Sequence, residues 1–266
     1  MRSPGTPASP AAPAPTARPV LVTRPAGRGE RLAALLEAEG FAVEHAPLTR
    51  LVPSDGEQLR AALVQLAAGG FTHLVVTSRT AAERLAGIRV ESGTAVVAVG
   101  EGTAAALRSA GIPPTSVADG SGAALAATMP PAAPGDRVLF PASAAASRTV
   151  PDGLREAGYT VVEVEAYRPE HVDPPPSVAR GLPVGRYAAI VLTSPMIARR
   201  AAGIGVHPTT AVVTIGDPTT EAVRASGLVP ARQARTPSDE ALVLAVREAV
   251  SPRPDHPTHP RSKETR

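Results

Sequence analysis

One block of this chain occurs twice, and that duplication constrains the fold more than any other feature. FTHLVVTSRTAAERLA, Phe71 to Ala86, recurs as YAAIVLTSPMIARRAA, Tyr187 to Ala202, at a constant offset of 116 residues. The same offset carries TAVVAVGEGTAAALRSAGI (Thr94 to Ile112) onto TAVVTIGDPTTEAVRASGL (Thr210 to Leu228). Thr77-Ser78 therefore maps onto Thr193-Ser194, Gly100 onto Gly216, and Thr103 onto Thr219. Self-similarity without gaps means one supersecondary design used twice. The period is too long for a solenoid, so it predicts two similar domains.

Strand and helix signals alternate around these blocks. PVLVTRP (19–25) is a β-rich run stopped by Pro25, and GRGERLAALLEAEG follows with Leu32, Leu35 and Leu36 on one helical face. With FAVEHAPL these form a βαβ unit, which implies parallel strands. A matching unit runs from DRVLFPAS (136–143) to GYTVVEVEAYRPE (158–170), at an offset of 118. Two proline-marked breaks, 48–55 and 165–176, leave five strand signals between them and five outside. Two strands alone cannot bury their faces, so the first pair must join the last three. The expectation is α/β: two similar doubly wound five-stranded parallel-sheet domains joined by a two-stranded linker. The boundaries predicted are 19–47 plus 172–250 for a discontinuous domain 1, and 54–166 for an inserted domain 2. The order of matching pieces is that of a circular permutation.

Composition excludes several functions. Residues 1–18 and 251–266 are rich in Pro and small polar residues, cannot offset the entropy of ordering, and are expected to be disordered. Of the net charge of +3, Arg2 and Arg18 supply two and the last sixteen residues a further two, leaving about −1 for the body. That is no basic footprint, and aromatics for stacking bases are few, so nucleic acid is not the expected partner. No run approaches the roughly 18–20 apolar residues of a membrane span. With Cys 0 there is no disulfide framework or thiolate site, which suits a cytoplasmic enzyme. His256 and His259 in the tail read as solvated polymer rather than metal ligands.

Open parallel sheets bind ligands beyond the carboxyl ends of their strands. Thr23-Arg24, Thr77-Ser78, Gly100, Ala142-Ser143, Thr193-Ser194 and Gly216 fall there, each just before a helix. Free N–H groups at helix starts attract carboxylates. Equally, Ser78, Thr103, Ser194 and Thr219 can be plain helix caps, and the two roles are compatible. No GxGxxG, GxxxxGK[ST], HExxH or GxSxG is present. His45 and His73 occur singly and read as strand residues. Tyr167, in EAYRPE at the second break, either faces a ligand cleft or packs the hinge.

The pieces LVTRP (21–25), VVTSRTAAERL (75–85), AVGEGTAAALRSAG (98–111), RTVPDGLREAGYTVVEVEAYR (148–168), IVLTSP (190–195), TIGDPTTEAVRASGL (214–228) and SDEALVLAV (238–246) together resemble uroporphyrinogen-III synthase. The resemblance covers about residues 18–250 in order. It implies an enzyme that takes the linear tetrapyrrole hydroxymethylbilane, expels its terminal hydroxyl as water, inverts ring D and closes the macrocycle. It implies no cofactor or metal, and a cytoplasmic monomer that takes its substrate from hydroxymethylbilane synthase. It makes Tyr167 the candidate to assist hydroxyl departure. The candidate substrate-binding residues are Arg24, Thr77, Ser78, Gly100, Thr103, Ser143, Arg148, Thr193, Ser194, Gly216 and Thr219. Two features depart from the family pattern. Glu101 and Asp217 stand where it has Pro, and Ala142-Ser143 where it often has Arg-Gly. These departures motivate a rival reading, a catalytically weak tetrapyrrole-binding or regulatory homologue. A two-domain sugar or nucleotide enzyme is the third reading, disfavoured by the missing phosphate loop.

Overall fold

Val20, Leu21 and Val22 are fully buried, a run apolar on both faces, as a strand covered by helices on both sides must be. It forms β1 (Val20–Val22), followed by α1 (Glu30–Ala38) and β2 (Val43–His45). Of the three leucines on the expected α1 face, Leu32 and Leu36 are buried, each stabilising the fold by about 1.5–3 kcal/mol. The computed structural model describes residues 18–118, 125 and 129–250. The tails, and the helix expected near 121–128, lie outside that set except for Arg18 and Leu125. Arg18, assigned to the tail on composition, instead donates to the carbonyls of Tyr187 and Thr209.

The chain divides into two compact units, one made of the chain up to Thr49 and from His171 onward, the other Arg50–Glu170. The second contains most of β3 (Thr49–Pro53), then α2 (Glu57–Ala67), β4 (His73–Val76), α3 (Arg79–Glu83), β5 (Ala95–Val99), α4 (Glu101–Ser109), β6 (Ser116–Ala118), β7 (Arg137–Ser143), α5 (Thr149–Glu156) and nearly all of β8 (Thr160–His171). The first resumes with α6 (Pro176–Gly181), β9 (Ala189–Leu192), α7 (Pro195–Ile204), β10 (Ala211–Thr214), α8 (Asp217–Ala225), β11 (Pro230–Gln233) and α9 (Asp239–Val250).

The discontinuous unit has a five-stranded sheet of order β11-β10-β9-β1-β2, parallel throughout. The other runs β3-β8-β7-β4-β5-β6. Set side by side, β2-β1-β9-β10-β11 corresponds to β8-β7-β4-β5-β6. The chain enters the first arrangement at β1 and the second at β4, which is the permutation written in the sequence. The sixth strand, β3, was read from its flanking prolines as an extended connection. It pairs with β8, a strand twelve residues long that offers an edge along its overhang. Ser54 N–H donates to Ala166 and Val172 N–H to Leu48, so one strand's numbers rise as the other's fall and the pair is antiparallel. The two connecting segments thus form the two-stranded linker. Arg84 and Arg200, equivalent in the repeat, each hold one of them: Arg84 donates to Asp55, and Arg200 to Asp173 at 2.7 Å.

α6 falls within HVDPPPSVARGLP (171–183), whose prolines signal a break rather than a helix. Pro176 opens it, a position where proline's fixed φ favours a helix and its missing N–H costs nothing.

Candidate functional site

In each doubly wound sheet the strand order reverses at one point, and ligands bind beyond the carboxyl ends there. The reversal lies between β4 and β7 in the Arg50–Glu170 unit, and between β9 and β1 in the other. Every sequence-predicted site residue falls at or near these two ends. Each end is described by itself.

At the end of β4, Ser78 caps α3, its Oγ accepting from the Ala81 N–H at 3.1 Å. Such a cap contributes about 1 kcal/mol. The same oxygen accepts the hydroxyl proton of Tyr167 at 3.2 Å. Tyr167 reaches it because β8 carries an irregularity opposite Ala142/Ser143: Ala142 pairs with Glu165, but Ser143 pairs with Tyr167. The extra residue re-aims the tyrosine, a common device beside active sites. Its ring packs against the unit's core and only its tip is polar. The ring thus packs while the hydroxyl contacts a residue at the strand end.

β5 leads into Gly100, whose φ of +76° is a conformation that suits glycine. Thr103 follows, 5% exposed, its hydroxyl making no hydrogen bond among the described residues; Thr77 is likewise unpaired. Glu101 is held by Arg108 at 2.5 Å. Ser143 accepts from the Ala145 N–H at 3.2 Å. Arg148 is engaged, reaching both oxygens of Glu163 at 3.0 Å and Asp152 at 2.8 Å. Asp152 above all, then Glu163, push its pKa above the ordinary arginine value.

The other end is more closed. Thr23 is fully buried and donates to Val191 at 2.6 Å, bridging the two central strands. Arg24 meets Asp239 at 2.6 Å with both side chains only 13–14% exposed. Arg24 is therefore held in an ion pair in this structure. The sequence reading missed Asp239; the signal available was an acid in the first turn of the last helix. Ser194 caps α7, accepting from Ile197 at 3.2 Å. Gly216 has φ 175°, extended backbone open to any residue. Asp217 accepts from Gln233 Nε2 at 2.8 Å, and Gln233 Oε1 accepts from Thr220 at 2.6 Å. Thr193 and the buried Thr219, 2% exposed, keep unpaired hydroxyls among the described residues.

His45 contacts the Arg24 carbonyl at 2.9 Å, and His73 meets the Tyr159 ring edge-on at 5.2 Å. Both are part of the packing. Among the described residues no three His, Asp or Glu side chains gather as a metal-ligand group, and no helix is long and apolar enough to cross a membrane.

The residues singled out in the sequence thus offer a set of hydroxyls at both ends and one tyrosine hydroxyl linked to a capping serine. No curated relative matches the chain. Its fold resembles a mutant uroporphyrinogen III synthase from Thermus thermophilus (20% identity, TM-score 0.58, covering 87% of this chain and 98% of that one). It also resembles uroporphyrinogen-III synthetase from Helicobacter pylori (16% identity, TM-score 0.59, covering 85% and 97%). At these identities the likeness shows the fold. The family model of uroporphyrinogen-III synthase HemD matches residues 30–244, most of the chain. By that match the chain belongs to the uroporphyrinogen-III synthase family, the enzymes that make uroporphyrinogen III in tetrapyrrole biosynthesis.

Proposed function

We propose that this chain is a cofactor-independent lyase that closes hydroxymethylbilane into uroporphyrinogen III, with loss of water and inversion of ring D. Family membership over residues 30–244 is the observation that carries the reading. The reaction asks little of side chains. The pyrrole nitrogen's electron pair expels the hydroxyl as its C–O bond breaks, and the oxygen leaves as water once it gains a proton. The azafulvene cation that remains is attacked by a pyrrole carbon, the spiro intermediate reopens with ring D inverted, and ring closure releases a proton.

The protein's part is to fold a flexible chain, to hold its carboxylates and to donate toward the departing oxygen. Positioning of that kind offsets several kcal/mol of barrier. Tyr167 is assigned the donor role: its hydroxyl rests on Ser78 at 3.2 Å and turns to the substrate oxygen when ligand arrives. The unpaired hydroxyls of Thr77, Thr103, Thr193 and Thr219 take carboxylate oxygens, and Ser143 and Ser194 present the loops behind them. Arg24 and Arg148 shape the ends through their ion pairs. The two acids that depart from the family pattern are each drawn to a donor of their own, Glu101 to Arg108 and Asp217 to Gln233, which eases their repulsion of a substrate carboxylate. We assign the reaction to a cytoplasmic monomer supplied by hydroxymethylbilane synthase.

The test is a coupled assay with fresh hydroxymethylbilane and separation of product isomers. Excess isomer III is expected. Isomer I alone, the product of spontaneous closure, overturns the reading.

A further inference from the structure

Arginines in the Arg50–Glu170 unit are almost all spoken for. Apart from Arg60 and Arg79, each meets a carboxylate or a backbone carbonyl. Arg60 lies on the exposed side of α2. Arg79 has a different position: it directly follows Thr77-Ser78 at the carboxyl end of β4, one residue from the serine that receives Tyr167.

Its stem is laid in a fixed place. A Cβ on Gly102 would stand 3.4 Å from Arg79 Cδ and 3.9 Å from its Nε, so the arginine runs over the first turn of α4 across a residue without a side chain. The acid next to that glycine, Glu101, pairs with Arg108 and leaves Arg79 alone. The result is an exposed guanidinium, without a partner among the described residues, laid from the Ser78 loop toward the residues before Thr103. The repeat sharpens its meaning, because the equivalent position in the other unit is Pro195. The two ends share the Thr-Ser frame and differ in this cation.

We propose that Arg79 is a carboxylate-binding and specificity-determining residue, taking one acidic side chain of the substrate at the β4 end. This rests on the lyase reading, which supplies a ligand rich in carboxylates. A guanidinium binds a carboxylate through two parallel N–H···O bonds, stronger than neutral ones and directional. It would supply at the β4 end a cation that Ala142-Ser143 does not.

The test uses the full chain with Arg79→Gln, Arg79→Lys and Gly102→Ala, and Arg60→Gln as the control for lost surface charge. For Arg79→Gln the KM for hydroxymethylbilane should rise about tenfold with kcat within about twofold, the size of one charge-assisted contact made equally in ground and transition states. Arg79→Lys should recover part of the loss, and Gly102→Ala, which presses a methyl on the stem, should raise KM about two- to threefold. Arg60→Gln should match wild type. A second readout does not need turnover: titration with uroporphyrin III, a stable octacarboxylate, should show Arg79→Gln binding about tenfold weaker and less sensitive to salt. Normal isomer III production with unchanged KM and uroporphyrin affinity in Arg79→Gln overturns the role of Arg79 alone. Failure of wild type to form isomer III while it binds uroporphyrin through Arg79 overturns the lyase reading alone. Failure of wild type in both removes the ligand on which the inference stands and overturns both.

Discussion

The two sheet ends descend from one design and have been put to different use. Both begin with a Thr-Ser pair whose serine caps a helix at 3.1–3.2 Å, and both follow the next strand with a glycine and a buried threonine. Beyond that frame they part. In the discontinuous unit the polar groups are turned inward: Arg24 is locked to Asp239, Thr23 to Val191, and Asp217 into a chain with Gln233 and Thr220. In the inserted unit Arg79 is uncommitted, and the capping serine carries a tyrosine hydroxyl on its second lone pair. Duplication kept the Thr-Ser cap, while the dihedral angles at the glycine and the side-chain partners came to differ between the braced copy and the open one.

Breaking the braced end should have the largest effect. Asp239→Ala leaves Arg24 charged and nearly buried without a carboxylate, with only a long contact to the Arg28 carbonyl. We expect a loss of about 3 kcal/mol, the low end for a broken buried pair because both side chains keep some solvent contact. Calorimetry or circular dichroism would read this as a fall of roughly 10 °C in the unfolding midpoint. An unchanged midpoint would show the pair to be idle.

At the open end the matching experiment is Tyr167→Phe, which keeps the ring's packing and removes one hydroxyl. Turnover should drop on the order of ten- to a hundredfold, at or below the low end of general-acid effects because this leaving group departs readily. Stability should move by less than about 1 kcal/mol, since Ser78 retains its bond from Ala81. Wild-type turnover in Tyr167→Phe would make the tyrosine a packing residue and take the donor from the mechanism.

The glycine pair separates the two ends on backbone grounds. Gly100→Ala forces an alanine to φ near +76° and should cost about 1–2 kcal/mol, whereas Gly216→Ala, at φ 175°, should be nearly silent in a denaturant melt. Equal costs would mean that the loops are less different than their dihedral angles. The smallest effect is expected for Thr219→Val, which keeps shape and deletes a hydroxyl unpaired in the structure: a KM two- to fivefold higher, read against Thr103→Val, with no loss of stability.

How far the sequence reveals this molecule depends on how local each determinant is. The Thr-Ser caps are legible because cap and recipient lie three residues apart, and the parallel sheets because their strands recur at a fixed offset. β3 was not legible as a strand. Pro47 and Pro53 punctuate it, and what makes it one is the overhang of β8, more than a hundred residues on. α6 hid behind prolines for a similar reason, since proline breaks a helix interior but opens a helix well. At the site, Arg24 looked available because its partner Asp239 lies 215 residues away. Tyr167 could be read as facing a ligand or packing a hinge, but not joined to Ser78, 89 residues distant. Arg79 carries no signal in the repeat, since its counterpart Pro195 does not match it.

The hydrogen bond from Thr23 to Val191 spans 168 residues of chain, and that distance is also a waiting time. On the ribosome, at about 5–20 residues per second, roughly 10–30 s pass between the appearance of β1 and that of the strand it must pair with. The whole inserted unit is synthesised in that interval. It has every strand it needs and can close while β1 and β2 stand by as an apolar fragment with no sheet to enter. The nascent chain therefore matures from the inside out, the middle of the message before the two stretches that flank it, and whatever guards Val20, Leu21 and Val22 meanwhile has to let go only when β9 arrives.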